Sequence, residues 1–277
     1  MIESFIITFR ETLEVALIVG IILSYLVRAK QTKYNNIVYI GVASGIVASV
    51  IGALLFNYLA GGFTGRAEEI FEGITMLVGA LLLTTMILWM MKQKHIAKEL
   101  EHKVATKISE TYKLGLFLLV FVAVLREGIE TVIFLGATSF VSTNNNLIGA
   151  LIGVIAAIIL GYAIFVGSMK INVKKFFNIT SIILILFAAG LVAHGVHEFQ
   201  EAGVIPTVIE HVWDINPEVN PNGSYPLLHE KGYVGSILKG LLGYNGDPSL
   251  IEVLSYLVYL VIVFVLWRNI GIVHKVI

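Results

Sequence analysis

Two stretches of the chain place charge inside otherwise apolar runs. Arg10-Glu11-Thr12-Leu13-Glu14 and Arg126-Glu127-Gly128-Ile129-Glu130 both read Arg-Glu-x-x-Glu. On a helix Glu11 and Glu14 are i,i+3 and share a face, as do Glu127 and Glu130. Arg10 and Arg126 stand i,i+4 from Glu14 and Glu130 and can pair with them. Insertion scales put a mid-membrane Arg or Asp at roughly +2.5 to +3.5 kcal/mol, so three charges per helix are tolerated only where they face each other, water or a ligand. Counted at about 1.5 Å per residue from the outer helix ends, Glu14 lies roughly 15 Å deep and Glu130 roughly 14 Å. Two antiparallel helices then gather four carboxylates near the midplane. Two arginines offset half of that charge and leave a formal excess of two negatives, a hard, oxygen-rich setting that suits a metal cation. The competing account is a structural ion-pair network. Four acids with two basic partners, in a duplicated motif at matched depth, argue for Glu11, Glu14, Glu127 and Glu130 as metal ligands and for Arg10 and Arg126 as their charge partners.

Two further clusters lie toward the outer surface. Glu68, Glu69 and Glu72 open a hydrophobic segment, with Glu68 and Glu72 on one face. Acids at a helix N-terminus also complement its dipole, which suffices for Glu68 and Glu69; Glu72 is deeper. Another segment ends His194-Gly195-Val196-His197-Glu198-Phe199-Gln200-Glu201, placing His194, His197, Glu198 and Glu201 on adjoining i,i+3 and i,i+4 faces. The alternative is a polar interfacial cap. The expected role of both clusters is to gather metal outside the midplane site. The order His-x-x-His-Glu is not the zinc-protease His-Glu-x-x-His. His211, Asp214, Glu218, His229, Glu230 and Asp247 read as ordinary solvated loop residues.

The elements that must position these residues follow from composition. Of 277 residues 57% are hydrophobic and only 14% charged, against about 25% charged in soluble domains. Net charge is zero, so binding of nucleic acid through bulk charge has no support. There is no cysteine, which excludes disulfides, thiolate metal sites and thiol catalysis. Hydropathy marks seven segments, about 4–27, 37–60, 70–91, 114–139, 147–169, 178–199 and 250–267. Unalternating runs such as Ile182-Ile183-Leu184-Ile185-Leu186-Phe187 make them helices rather than barrel strands. The first lacks a basic start and is interrupted by Arg10, Glu11 and Glu14, so it reads as a span, not a signal peptide. Fourteen of the nineteen basic residues fall in alternate loops and the tail, against three on the opposite side. That split puts the N-terminus outside and the C-terminus in the cytoplasm.

The expected fold is an all-α polytopic membrane protein of seven transmembrane helices, a 3+3 inverted repeat plus one extra helix. One transmembrane domain spans 1–277. Residues 1–91 form the first three-helix repeat and 114–201 the second. Each repeat opens with an Arg-Glu-x-x-Glu helix, continues with an uncharged glycine-bearing helix (Gly41/Gly45, Gly149/Gly153) and ends with a helix carrying acids near the outer surface. Three spans per unit give the halves opposite orientation, a common transporter design. Residues 92–113 place Ile96, Leu100, Val104 and Ile108 four apart among lysines, an amphipathic helix on the inner membrane surface. Residues 202–249 form an extracytoplasmic loop with a short helix near Ser236–Leu242, and 250–277 the seventh helix and cytoplasmic tail.

The two Arg-Glu-x-x-Glu motifs, Glu68-Glu69-Ile70-Phe71-Glu72-Gly73 and Leu238-Lys239-Gly240-Leu241-Leu242-Gly243-Tyr244 resemble those of the oxidase-dependent iron permeases, over essentially the whole chain. The resemblance implies Fe(III) uptake across the plasma membrane, with the motif glutamates holding iron in transit as substrate and no tightly bound cofactor. It also implies a separate extracytoplasmic iron oxidase or iron-delivery protein, since residues 1–277 carry no such domain. Carboxylates alone discriminate poorly among hard metals, so transport of lead, manganese or protons competes. An intramembrane di-metal oxidase is a further alternative. Di-iron bundles typically carry Glu-x-x-His on two helices, and neither motif here has a histidine. A purely structural membrane protein is the remaining reading.

Overall fold

The computed structural model describes residues 1–92, 112–141, 146–165, 173–220 and 224–276. The described residues are helical throughout their ordered elements, with no strand among them. The long helices are α1 (Ile2–Arg28), α2 (Asn35–Ala60), α3 (Arg66–Lys92), α4 (Tyr112–Val141), α5 (Asn146–Phe165), α6 (Val173–Glu201) and α8 (Leu250–Val276); a short α7 (Tyr233–Leu242) precedes the last. Each long helix coincides with one of the seven hydropathy segments. The surface helix expected over 92–113 falls almost wholly outside the described residues.

Among the described residues, five helices are long and apolar enough to cross a membrane: Thr32–Ala60, Arg66–Met90, Asn146–Phe165, Asn178–Glu201 and Leu250–Asn269. α1 and α4 have comparable length but carry the motif charges in their middles. The exterior is aliphatic where a soluble protein would be polar. Leu54 of α2, Ile159 of α5 and Phe264 of α8 are all about two-thirds exposed. With the charged residues of α1 turned inward, the molecule is a multi-pass membrane protein.

Sequence neighbours are not the main packing partners. α1 lies along α5, α2 along α4 and α3 along α6; α1 also meets α4, and α8 covers α6. Small residues set the first two pairings, because without a side chain the backbones approach closely. A methyl group at Gly41 or Gly45 would meet the Phe117 or Phe121 carbonyl oxygen at 3.2 Å, with Val120 and Val124 closer still. A methyl at Gly149 or Gly153 would run into the carbonyl oxygens of Met1 and Phe5 and the Thr8 hydroxyl. Phe117, Phe121 and Val124 stand nine, five and two residues before Arg126; Met1, Phe5 and Thr8 stand nine, five and two before Arg10. The two glycine helices therefore dock on the two motif helices in the same register. Thr8 Oγ1 adds a polar tie, 2.8 Å from the Ser4 carbonyl and 3.0 Å from that of Ala150 on α5.

Two apolar clusters hold the motif helices from either end. Ile7 joins Met76, Leu83, Phe134, Phe187 and Leu191 in one. Ile22 and Leu26 pack with Val38, Leu116, Val120 and Val124 in the other. α7 ends at Gly243, which takes the left-handed φ of 69° that glycine adopts freely. Its N–H bonds to the Lys239 carbonyl at 3.1 Å, and its bare Cα rests on Gly190 of α6.

Candidate metal centre

α1 and α4 bring their motifs face to face. Glu11, Glu14 and Glu127 each offer a carboxylate oxygen, all within 4.8 Å of one another, and all three are buried. Glu130 lies outside that triad but beside it, its side chain only 12% exposed. Arg10 Nη1 stands 3.2 Å from Glu11 Oε1 and Nη2 3.2 Å from Glu14 Oε1. Arg126 Nη2 stands 2.9 Å from Glu127 Oε1 and Nε 3.2 Å from Glu130 Oε1. The pairing expected from i,i+4 spacing thus occurs in both motifs, and each arginine also holds the glutamate that follows it.

Charge remains unmatched after that pairing. Glu11 Oε2, Glu127 Oε2 and Glu130 Oε2 are buried without a hydrogen-bond partner. Buried polar atoms are ordinarily satisfied, and an ionised oxygen left bare in low dielectric is costly. A cation among them would accept all three lone pairs. The grouped ligands are carboxylates alone, with no described histidine among them, so the donor set is hard and suits iron, manganese or another oxygen-seeking ion.

Near the start of α3 and the end of α6 the two helices cross at Gly73 and Gly195, where a methyl on either would touch the other's carbonyl oxygen at 3.0–3.1 Å. That crossing sets Glu72 and Glu198 on facing helices, with Glu69 and Glu201 in the same electrostatic neighbourhood; Glu68 joins them around Glu72 and is itself exposed. His194 is buried, its Nδ1 donating to the Gly190 carbonyl at 2.9 Å and its Nε2 left without a partner. His197 is clamped: Nδ1 lies 3.1 Å from Glu252 Oε1 and Nε2 3.2 Å from Glu201 Oε1.

Two acids escaped the sequence reading. Glu252 is 2% exposed. Its Oε1 accepts the Ser249 N–H at 3.0 Å while its own N–H reaches Ser249 Oγ at 3.3 Å, a capping box that Ser249-Leu250-Ile251-Glu252 announces in the sequence. Glu252 also accepts from Asn245 at 2.8 Å, so one carboxylate fastens α8, the outer loop and His197 together. Glu3 is likewise 2% exposed. It lies eight residues before Glu11 on the same helical face, with one oxygen 2.8 Å from the Met1 amine and the other against Gly240 of α7.

In the outer loop Asp247 Oδ1 lies 2.7 Å from His211 Nδ1, and this hydrogen bond holds the exposed imidazole above the usual histidine range. A group whose folded value is raised contributes fully below its unfolded value and loses that contribution as pH rises through the folded one. The loop tie is therefore complete in acid and released on the alkaline side of the ordinary histidine range. Asp247→Asn is expected to lower the His211 titration midpoint followed by ring-proton NMR; an unchanged midpoint would show that the pair does not form.

The model of the iron permease FTR1 family matches residues 1–274. The chain is 35% identical over 271 residues to a ferrous iron permease EfeU of Yersinia pestis, covering 96% of this chain and 93% of the relative. It is 32% identical over 265 residues to a ferrous iron permease EfeU of Escherichia coli (94% and 93%) and 31% identical over 265 residues to that of Shigella sonnei (94% and 93%). No solved structure matches. With the match running from the first motif helix to the last described turn of α8, the chain belongs to the iron permease FTR1 family and is a transporter rather than an enzyme.

Proposed function

We propose that this protein imports iron across the plasma membrane through a midplane site made by Glu11, Glu14, Glu127 and Glu130, with Arg10 and Arg126 holding the carboxylates in place. The observation that carries the reading is the buried triad of Glu11, Glu14 and Glu127, drawn from both motifs, with partnerless oxygens around it. Four glutamates and two arginines leave a formal charge of two negatives, which a divalent ion neutralises, and the relatives named above are ferrous iron permeases. The ferrous ion is thus the first reading. The second is Fe(III) handed over by an extracytoplasmic oxidase or iron-delivery protein. It needs a third excess negative charge, which the half-exposed Arg126 supplies if it withdraws. Uptake of radioactive iron into proteoliposomes separates them: the ferrous reading expects uptake with ascorbate-reduced iron, the ferric reading uptake of iron-citrate without reductant. Transport of neither would overturn the function.

Seven spans arranged as two inverted three-helix units, 1–91 and 114–201, with 250–277 added, fit the shared docking register of α2 on α4 and α5 on α1. The basic-residue split supports an outside N-terminus and a cytoplasmic C-terminus. A chain without cysteine allows a clean test. Ser224→Cys is expected to react with an impermeant thiol reagent in intact cells and Ser109→Cys only after permeabilisation; the reverse pattern would invert the topology.

Glu68, Glu69, Glu72, His194, His197, Glu198 and Glu201 are assigned to gathering the ion before it descends. Placed near water and partly redundant, they contribute little singly. Joint alanine replacement of Glu72, His197, Glu198 and Glu201 is expected to raise the iron concentration for half-maximal uptake several-fold with maximal uptake largely kept. Unchanged uptake at limiting iron would remove the gathering role.

A further inference from the structure

The two motif arginines hold equivalent places in sequence but not in space. Arg10 is fully buried. Besides its two glutamates, its Nη1 lies 2.8 Å from Met86 Sδ and its Nη2 3.1 Å from Met90 Sδ, both on α3. Every direction in which the guanidinium could swing is filled. Arg126 has a side chain 47% exposed. It emerges on the outer stripe of α4 with Leu118, Val122 and Ile129. Among the described residues it also meets the face of Trp89, 5.5 Å from its ring centroid, and Trp89 is itself 42% exposed. A cation stacked on an indole keeps a favourable contact after it lets go of a carboxylate.

We propose that Arg126 is a displaceable internal counter-ion, which sets the charge of the cation the site accepts by staying on or leaving Glu127 and Glu130, while Arg10 is a permanent strut. With both arginines in place the four glutamates carry a formal excess of two negatives; with Arg126 turned onto Trp89 the excess is three. The first state matches a divalent ion and the second a trivalent one. Arrival of a highly charged cation repels the Arg126 head toward its exposed, Trp89-bearing side, and the freed Glu127 and Glu130 oxygens become ligands. The proposal rests on the four-glutamate reading. It differs from it in assigning unequal work to two residues that the motif makes look alike.

The test uses the full chain in lipid nanodiscs and two probe ions that need no redox partner, Mn(II) and Ga(III), read as equilibrium affinities beside a thermal melt. Arg126→Gln removes the displaceable charge. Taking one unit charge about 6 Å from the ion at an effective dielectric near 20, it should shift the Ga(III)-to-Mn(II) affinity ratio toward gallium by on the order of a hundredfold. Its melting temperature should fall, since Glu127 is buried, but by less than in Arg10→Gln, because the Arg126 side chain is half exposed. Arg10→Gln should instead lose folded yield, because it leaves buried carboxylates unpaired; Arg10→Lys, which keeps the charge, should fold and retain the parent ratio. Trp89→Leu should shift the ratio toward manganese, since the displaced head loses its resting place. An unchanged ratio in Arg126→Gln, or an equal shift in Arg10→Lys, overturns the proposal. Glu14→Gln distinguishes the underlying reading. If it binds both ions as the parent does, the four-glutamate site itself fails. If it abolishes binding while Arg126→Gln leaves the ratio unchanged, only the counter-ion role fails.

Discussion

Glu14→Gln and Glu130→Gln are each expected to reduce iron uptake per folded molecule by about a hundredfold or more while leaving the thermal melt unchanged or higher. Glutamine keeps the volume of glutamate but removes one anionic ligand. At roughly 3 Å from a divalent ion and an effective dielectric near 20, that loss exceeds several kcal/mol before any rearrangement. The stability forecast has the opposite sign from that of a structural ion-pair network. Glu14 is 9% exposed and shares its neighbourhood with Glu11 and Glu127. Neutralising one of several crowded carboxylates relieves like-charge repulsion in the empty protein, whereas breaking a balanced pair strands a charge. Uptake normalised to folded protein, alongside the melt, decides between them. Normal uptake in both variants would remove the site, and activity falling only in proportion to folded protein would convert it to scaffolding.

Gly45→Val and Gly153→Val are each expected to cost about 3 kcal/mol of stability and most of the folded yield. Overpacking a fitted contact costs about 1–3 kcal/mol where the neighbours can shift. Here the obstacles include backbone: the Phe121 carbonyl oxygen against Gly45 and the Phe5 carbonyl oxygen, at 2.6 Å, against Gly153. The control is Gly52→Val on the same helix as Gly45, where nothing lies within 4 Å and no loss is expected. Detergent-solubilised yield and a melt across the three variants check the contrast. Equal behaviour of Gly52→Val and Gly45→Val would mean that α2 does not dock on α4 in this register.

The long helices and the meeting of motif glutamates were legible because each depends on local chemistry. A charge in an apolar run is visible without knowing what it touches, and spacing alone places Glu11 with Glu14 and Glu127 with Glu130. Gly41/Gly45 and Gly149/Gly153 announced close packing but not with whom, since partners such as Val124 and Phe5 lie in other spans. Glu3 carries no signal in the sequence, because the Gly240 that covers it lies on α7. Glu252 announced its capping box but not its bond to His197, 55 residues away. The difference between Arg10 and Arg126 was not legible at all. Both sit in the same five-residue pattern, and their surroundings are set by Met86, Met90 and Trp89 on α3, residues that carry no signal of their own.

The pairing of α1 with α5 and of α2 with α4 also constrains how the molecule is born. The helix that covers the buried face of α1 begins at Asn146, more than a hundred residues after α1 ends at Arg28. At about 5–20 residues per second of synthesis, α1 emerges on the order of ten seconds before its main partner exists, with Arg10, Glu11 and Glu14 meanwhile lacking the enclosure that makes them tolerable in lipid. Neither half can complete itself first, because the second helix of each is lodged in the other. The nascent chain must therefore be sheltered at the insertion machinery until both halves are present. Ribosome-bound chains truncated before Asn146 should stay crosslinked to that machinery, and those extended past Phe165 should be released from it.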